Sequence, residues 1–192
     1  MKFVRFEYNT EEKLGILYSD ETKVISISSL FNGKSFTDMN DLIERISEGE
    51  IKLLKGAYNE ESKSYDSYPI NEVSLLSPIE KPRHDIICIG LNYQDHIDEM
   101  KHDFSNESVE KPKIVYFSKR ASRILGSEEN LYAHFDIDDK LDYEVELAVI
   151  IGKDGYKIPK DKVDEYIFGY SVFNDFSSRK LQGDHIQWYR GK

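Results

Sequence analysis

Acids alternate with apolar residues in Leu141-Asp142-Tyr143-Glu144-Val145-Glu146-Leu147, before the run turns apolar through Ile151 and stops at Gly152. Alternation of this kind predicts a β-strand. Its side chains face opposite ways in turn, so Asp142, Glu144 and Glu146 share one side while Leu141, Tyr143, Val145 and Leu147 take the other. Same-face neighbours lie about 7 Å apart by Cα, close enough for Glu144 and Glu146 to hold one cation. A half-exposed strand with a solvated acidic face explains the same pattern. Beyond Glu146 both faces are apolar, and the strand is expected to run from a polar mouth into a buried core.

Two further stretches carry candidate chemistry. Phe168 to Asp175 is strand-like and delivers an acid at its end, where reactive groups sit over a fixed scaffold. A turn-forming or capping aspartate is the alternative there. Ser177 to Gln182 then reads as a short helix capped by Ser177. In Gly90-Leu91-Asn92-Tyr93-Gln94-Asp95-His96-Ile97-Asp98-Glu99-Met100, Asn92 can cap a helix on which His96 and Glu99 are i, i+3 neighbours. A carboxylate beside an imidazole fixes its tautomer and stabilises the imidazolium, which is what a general base requires. The competing reading is a solvated helix face. The charged stretch from Lys101 to Pro112 is a loop beside that helix, either a lid or ordinary surface.

The elements that position these residues divide at Pro78 and Pro82, two prolines in a short connector. Residues 1–77 are expected to form a small accessory domain and residues 78–192 the domain that carries the chemistry. In the first, Lys2–Tyr8, Leu14–Tyr18 and Lys23–Ile27 alternate as short strands. Asp38–Ser47 has helical spacing, with Thr37 as cap and Gly49 just past its end, and Ile51–Lys55 adds a turn. In the second, Ile86–Gly90 is expected to be a buried strand and Lys113–Ser118 another. The fold class is α+β and β-rich.

Bulk properties narrow the partners. The 192 residues carry a net charge of −10, which opposes binding to nucleic acid or to an anionic membrane surface. Met1 to Glu7 meets charge at once and lacks the apolar core of a signal peptide, which points to the cytoplasm. No run approaches the length needed to cross a bilayer. The single Cys88, within Ile86-Ile87-Cys88-Ile89, excludes an internal disulfide and reads as a small buried hydrophobe rather than a nucleophile.

Together, Gly90 to Met100, Leu141 to Leu147, Gly169-Tyr170 through Asn174-Asp175-Phe176-Ser177-Ser178-Arg179-Lys180-Leu181-Gln182, and Arg190-Gly191-Lys192 resemble the fumarylacetoacetate hydrolase family, in particular its small acylpyruvate hydrolase and oxaloacetate decarboxylase-like members. The resemblance implies a mixed β-rich roll with short helices behind a small β-rich N-terminal unit. It implies Glu144, Glu146 and Asp175 as metal ligands, a hard-oxygen set that suits Mg2+ or Mn2+. It implies His96 and Glu99 as the acid/base pair, Lys192 as the substrate-facing lysine, and Arg179 and Gln182 as substrate-binding groups. The activity implied is divalent-metal-dependent hydrolysis of a carbon–carbon bond in a 2-oxo acid of the acylpyruvate or fumarylpyruvate type, by a homodimer. Isomerisation, decarboxylation and sugar-acid dehydration use the same site and stay open, as does a non-catalytic remnant. Family members continue past this lysine through further strands and a Thr-Gly-Thr-Pro segment. The resemblance therefore implies a chain lacking its C-terminal part, with open strand edges and little activity by itself.

Overall fold

Alternation along Lys2–Tyr8 (β1) and Glu11–Leu17 (β2) yields a hairpin in the computed structural model, which describes residues 1–31, 34–59, 65–90, 92–94, 114–185 and 188–192. Pairing runs from Lys2↔Leu17 to Tyr8↔Glu11, so Asn9 and Thr10 alone turn the chain. Their φ values of 49° and 66° are those of a two-residue turn whose twist suits paired strands. Lys23–Ser26 (β3), Ser67–Pro69 (β4) and Ser74–Leu76 (β5) complete an antiparallel sheet ordered β4-β3-β2-β1-β5.

Period-two alternation gives this sheet two apolar faces. Ile16 and Ile25 pack with Met39, Leu42, Leu54 and Ala57 from the helices Met39–Arg45 (α1) and Glu48–Asn59 (α2). Phe6, Leu17 and Val24 form a second buried cluster, with Tyr8 and Tyr68 against it. Each fully buried Ile, Leu, Val, Phe or Met among them stabilises the unit by about 1.5–3 kcal/mol.

The helix ends depart from expectation. Asp38, not Thr37, caps α1: its carboxylate accepts the Asp41 N–H at 2.8 Å, while the Asp41 carboxylate accepts the Thr37 N–H at 2.9 Å. Gly49, expected past a helix end, lies in the first turn of α2, which runs 12 residues. The cause is a capping box in Ser47-Glu48-Gly49-Glu50. The Ser47 N–H donates to Glu50 at 2.7 Å and the Glu50 N–H to Ser47 Oγ at 3.3 Å. The Lys34 ammonium, followed by that Ser47 N–H, lowers the Glu50 carboxyl to about 2.

The chain resolves into two compact units whose borders differ from the break at 77/78. One holds Met1–Arg83, Ser122–Leu131 and Leu147–Val172; the other holds His84–Ala121, Tyr132–Glu146 and Phe173–Lys192. The chain returns to the first unit twice, and the second return begins within the long strand Val145–Ile151 and ends within Ile167–Asn174.

In the second unit, Ile86–Gly90 (β6) pairs antiparallel with Val115–Lys119 (β7). β6 is not buried on both faces as expected, since Ile87 is 74% exposed. The single strand expected over Leu141–Ile151 is broken at Tyr143 and Glu144. Leu141–Asp142 (β8) and Val145–Ile151 (β9) pair with different partners. β9 lies beside Ile167–Asn174 (β10), and β8 beside Ser177–Ser178 (β11). Ser177 is therefore a strand residue. The helix Arg179–Asp184 (α3) follows with Ser178 in its cap position.

Alternation along β9 and β10 is as the sequence predicts, but the apolar face is the open one. Val145, Leu147, Val149 and Ile151 are exposed on β9, as are Tyr170 and Val172 on β10, Val172 to 78%. An apolar face of this extent is a site for association or for covering chain. Residues 1–192 produced alone should accordingly enhance the fluorescence of 8-anilinonaphthalene-1-sulfonate (ANS) and elute from size exclusion in a concentration-dependent way. Replacing Leu147 and Val172 by lysine should suppress both effects with little loss of stability. A monomer that leaves the dye dark would show the face to be closed.

Candidate active site

The break in the acidic strand forms the site. At Glu144 the backbone leaves the β8 and β9 ladders and bonds instead to the end of β10. Its N–H donates to Asn174 Oδ1 at 3.1 Å, and its carbonyl accepts the Asp175 N–H at 2.7 Å. These bonds hold Glu144 against Asp175, which is 3% exposed. The Ser177 hydroxyl donates to the Asp175 carbonyl at 3.1 Å and fixes the turn into β11.

Two lysines and one arginine neutralise the acids. The Lys192 ammonium, on a side chain 4% exposed, donates to Glu144 Oε2 and to Asp175 Oδ2, the latter at 3.3 Å. Lys119, at the end of β7, donates to Asp175 Oδ1 and to the Phe176 carbonyl at 2.8 Å. Arg179 uses its whole fork. Nε and Nη2 reach Asp142 Oδ2 at 3.0 and 2.9 Å, while Nη1 reaches Glu144 Oε1 at 2.6 Å and Gln182 Oε1 at 3.1 Å. Each carboxylate of the central pair thus has an outer oxygen on a fixed cation and an inner oxygen on Lys192. The Phe117 ring lies under Lys192, with its centroid 5.1 Å from Nζ.

Supporting residues keep this arrangement in place. Asp138, 5% exposed, accepts from the Ser178 hydroxyl and from the Lys180 N–H at 3.1 Å, while its other oxygen accepts the Lys140 N–H at 2.7 Å. Burial opposes its ionisation. The hydrogen bonds from Ser178, Lys140, Leu181 and Lys180 outweigh that, and hold its carboxyl below the usual aspartate range. Asp138 thereby ties down the start of α3, the helix that carries Arg179 and Gln182. Gly191 lets the chain before Lys192 lie on α3, because a Cβ there would stand 2.7 Å from the Gln182 nitrogen. Cys88 is half-buried in the same unit, and burial raises its thiol to about 11, so it stays protonated at neutral pH.

The structure therefore joins Glu144, Asp175, Arg179, Gln182 and Lys192 in one polar cluster. Glu146 lies two residues along, half-buried like Glu144, and makes no hydrogen bond or ion pair among the described residues. Those residues contain no preassembled group of three ligands for a metal. The inner oxygens of Glu144 and Asp175 do converge on one cation, and an all-oxygen, anionic donor set fits a hard divalent ion. His96, Glu99 and residues 101–112, expected as a lid or ordinary surface, lie outside the described residues. Sequence reasoning missed Lys119 and Asp138. Lys119 ends a strand beside the chemistry, the same signal that singled out Asp175. Asp138 acts on a helix some 40 residues away in sequence and leaves no local signal.

Residues 85–192 match the family model described as fumarylacetoacetate (FAA) hydrolase, C-terminal. An uncharacterised protein of Staphylococcus haemolyticus strain JCSC1435 is 33% identical over 204 residues, covering all of this chain and 64% of the relative. The fumarylacetoacetate hydrolase of the psychrophile Exiguobacterium antarcticum superimposes with a TM-score of 0.75 at 31% identity, over all of this chain and 61% of that one. The fold extends to maleylpyruvate hydrolase from Sphingobium sp. SYK-6, solved with manganese(II) and pyruvate, with a TM-score of 0.65 at 24% identity, over 93% of this chain and 60% of that one. The chain thus spans somewhat under two thirds of the length of these relatives. No helix among the described residues is long and apolar enough to cross a membrane.

Proposed function

Because the chain belongs to the fumarylacetoacetate hydrolase family, we propose that it acts on a small 2-oxo acid of the acylpyruvate type, cleaving a carbon–carbon bond with the help of Mg2+ or Mn2+. The observation that carries this reading is the convergence of Glu144 and Asp175 on a single cation in a nearly buried position. Glu146, on the same face of the acidic stretch, is the third ligand of the proposal. A related fold that holds manganese(II) together with pyruvate supports the choice of ion and substrate class. When bound, such an ion supplies Lewis-acid polarisation of the substrate's oxygens.

The chain's own residues do the rest. Arg179 and Gln182 hold the substrate from α3. His96, oriented by Glu99, takes a proton from water, whose oxygen bonds to the distal carbonyl carbon. The Lys192 ammonium balances the negative charge that develops on that carbonyl oxygen. The bond between the attacked carbon and the methylene of the pyruvyl group then breaks, the electron pair leaves with the pyruvyl carbon, and the proton on His96 returns to it. The products are a carboxylic acid and pyruvate. A cytoplasmic homodimer without nucleic-acid or membrane partners completes the reading, in keeping with the acidic charge.

The test is cleavage of a series of acylpyruvates with Mn2+ present, with pyruvate release followed by a coupled assay and double-bond migration by absorbance. In the full-length protein hydrolysis should dominate, and His96→Ala should lower turnover by about 10²-fold or more while Mn2+ binding persists. Migration without pyruvate release would move the assignment to the isomerase branch of the family. Unchanged turnover in His96→Ala would return His96 and Glu99 to the reading of a solvated surface.

A further inference from the structure

The two acids of the central pair are held differently at their two oxygens. Glu144 Oε1 is tied to Arg179 at 2.6 Å, and Asp175 Oδ1 to Lys119. Lys119 has a further anchor in the Phe176 carbonyl at 2.8 Å, and Arg179 has two further anchors in Asp142 and Gln182. Neither cation depends on the space between the acids. Among the described residues, the inner oxygens, Glu144 Oε2 and Asp175 Oδ2, are neutralised by Lys192 alone. Its ammonium lies between these two oxygens, in the space that an ion bridging them would enter. Two cations cannot share that place, since their repulsion in a nearly dry site is strong.

We infer that Lys192 is a built-in counter-cation, which fills the place between Glu144 and Asp175 in the metal-free protein and gives it up to a divalent ion. The inference rests on the metal reading above and adds an exchange to it. Without the ion, the buried Asp175 and the half-buried Glu144 need a positive charge, and Lys192 supplies it from a side chain 4% exposed. With the ion, the same ammonium is released beside the site, where a substrate oxygen can meet it. The outer oxygens keep their partners throughout, so the carboxylates stay aimed while the inner cation changes.

The exchange makes two measurements move together. Lys192→Met removes the competing charge, so Mn2+, followed by the electron paramagnetic resonance of the free ion, should bind at least about tenfold more tightly than to wild type. The variant should be less stable than wild type in chelator, and the gap should narrow in saturating Mn2+. On the wild-type protein, reductive methylation read by mass spectrometry of the peptide carrying Lys192 should be slow in chelator and faster with Mn2+. That labelling decides the question even if the variant does not fold. Wild-type protein that binds Mn2+ with Lys192 equally protected, or a folded Lys192→Met protein that binds Mn2+ no more tightly, would overturn the exchange and leave the metal site standing. Wild-type protein that binds no Mn2+ at millimolar concentration would overturn the metal reading, and the exchange with it.

Discussion

Asp175→Ala is expected to destabilise the protein by about 3–5 kcal/mol, because it breaks a buried ion pair from the side that two cations share. Asp175 is 3% exposed, and both of its oxygens are engaged by ammonium groups on side chains 14% and 4% exposed, Lys119 and Lys192. Removing the carboxylate leaves these two cations without a central charge and with little access to water. Glu144 can still serve Lys192, but among the described residues Lys119 keeps only the Phe176 carbonyl. For a chain of this size the thermal midpoint should fall by roughly 10 °C. Asp175→Asn preserves shape and one acceptor but not the charge, so it should lie nearly as low. Asp175→Leu combined with Lys119→Met and Lys192→Met should recover much of the loss, since replacing a buried ionic group by apolar side chains of similar volume is often neutral. Mn2+ binding should be lost in all three proteins. Urea denaturation decides the matter: an Asp175→Ala protein within about 1 kcal/mol of wild type would mean that these charges are better solvated than the geometry implies.

Much of this site was readable in the chain because it is built on local patterns. Period-two alternation placed Glu144 and Glu146 on one face, and the residues of that stretch do alternate between half-buried and exposed. The break at Tyr143 and Glu144 was not readable. It arises from Asn174 and Asp175, 30 or more residues away, which capture the Glu144 backbone. The side that faces water was not readable either. Alternation fixes which residues share a face, but which face is covered depends on what packs there, and in these 192 residues the apolar face of β9 and β10 is open. The capping box at Ser47 and Glu50 is legible as a serine followed three residues later by a glutamate, although Gly49 between them also carries the signal of a helix end. Lys119 lay one residue beyond the strand expected to end at Ser118, which hid the second cation on Asp175.

Arg179→Lys should show the opposite balance to Asp175→Ala, with a small loss of stability and a large loss of activity. Arg179 is about one-third exposed and its partner Asp142 more so, a setting in which an ion pair contributes about 1 kcal/mol or less. Its value lies in geometry. One planar guanidinium meets Asp142 along one edge while Nη1 reaches Glu144 and Gln182, which fixes the direction in which Glu144 presents its inner oxygen. A lysine carries one nitrogen and cannot span these partners, so Glu144 Oε1 or Asp142 must be given up. A misplacement of about 1 Å in a catalytic group costs on the order of 10²-fold in rate. Turnover with Mn2+ should fall by about that factor in Arg179→Lys, with Mn2+ binding weakened because Glu144 is no longer held from outside. The two readouts separate the explanations. Wild-type kcat/KM in this variant would show that the fork is dispensable for placing Glu144, whereas a loss of activity that tracked a loss of several kcal/mol in stability would make Arg179 a structural residue only.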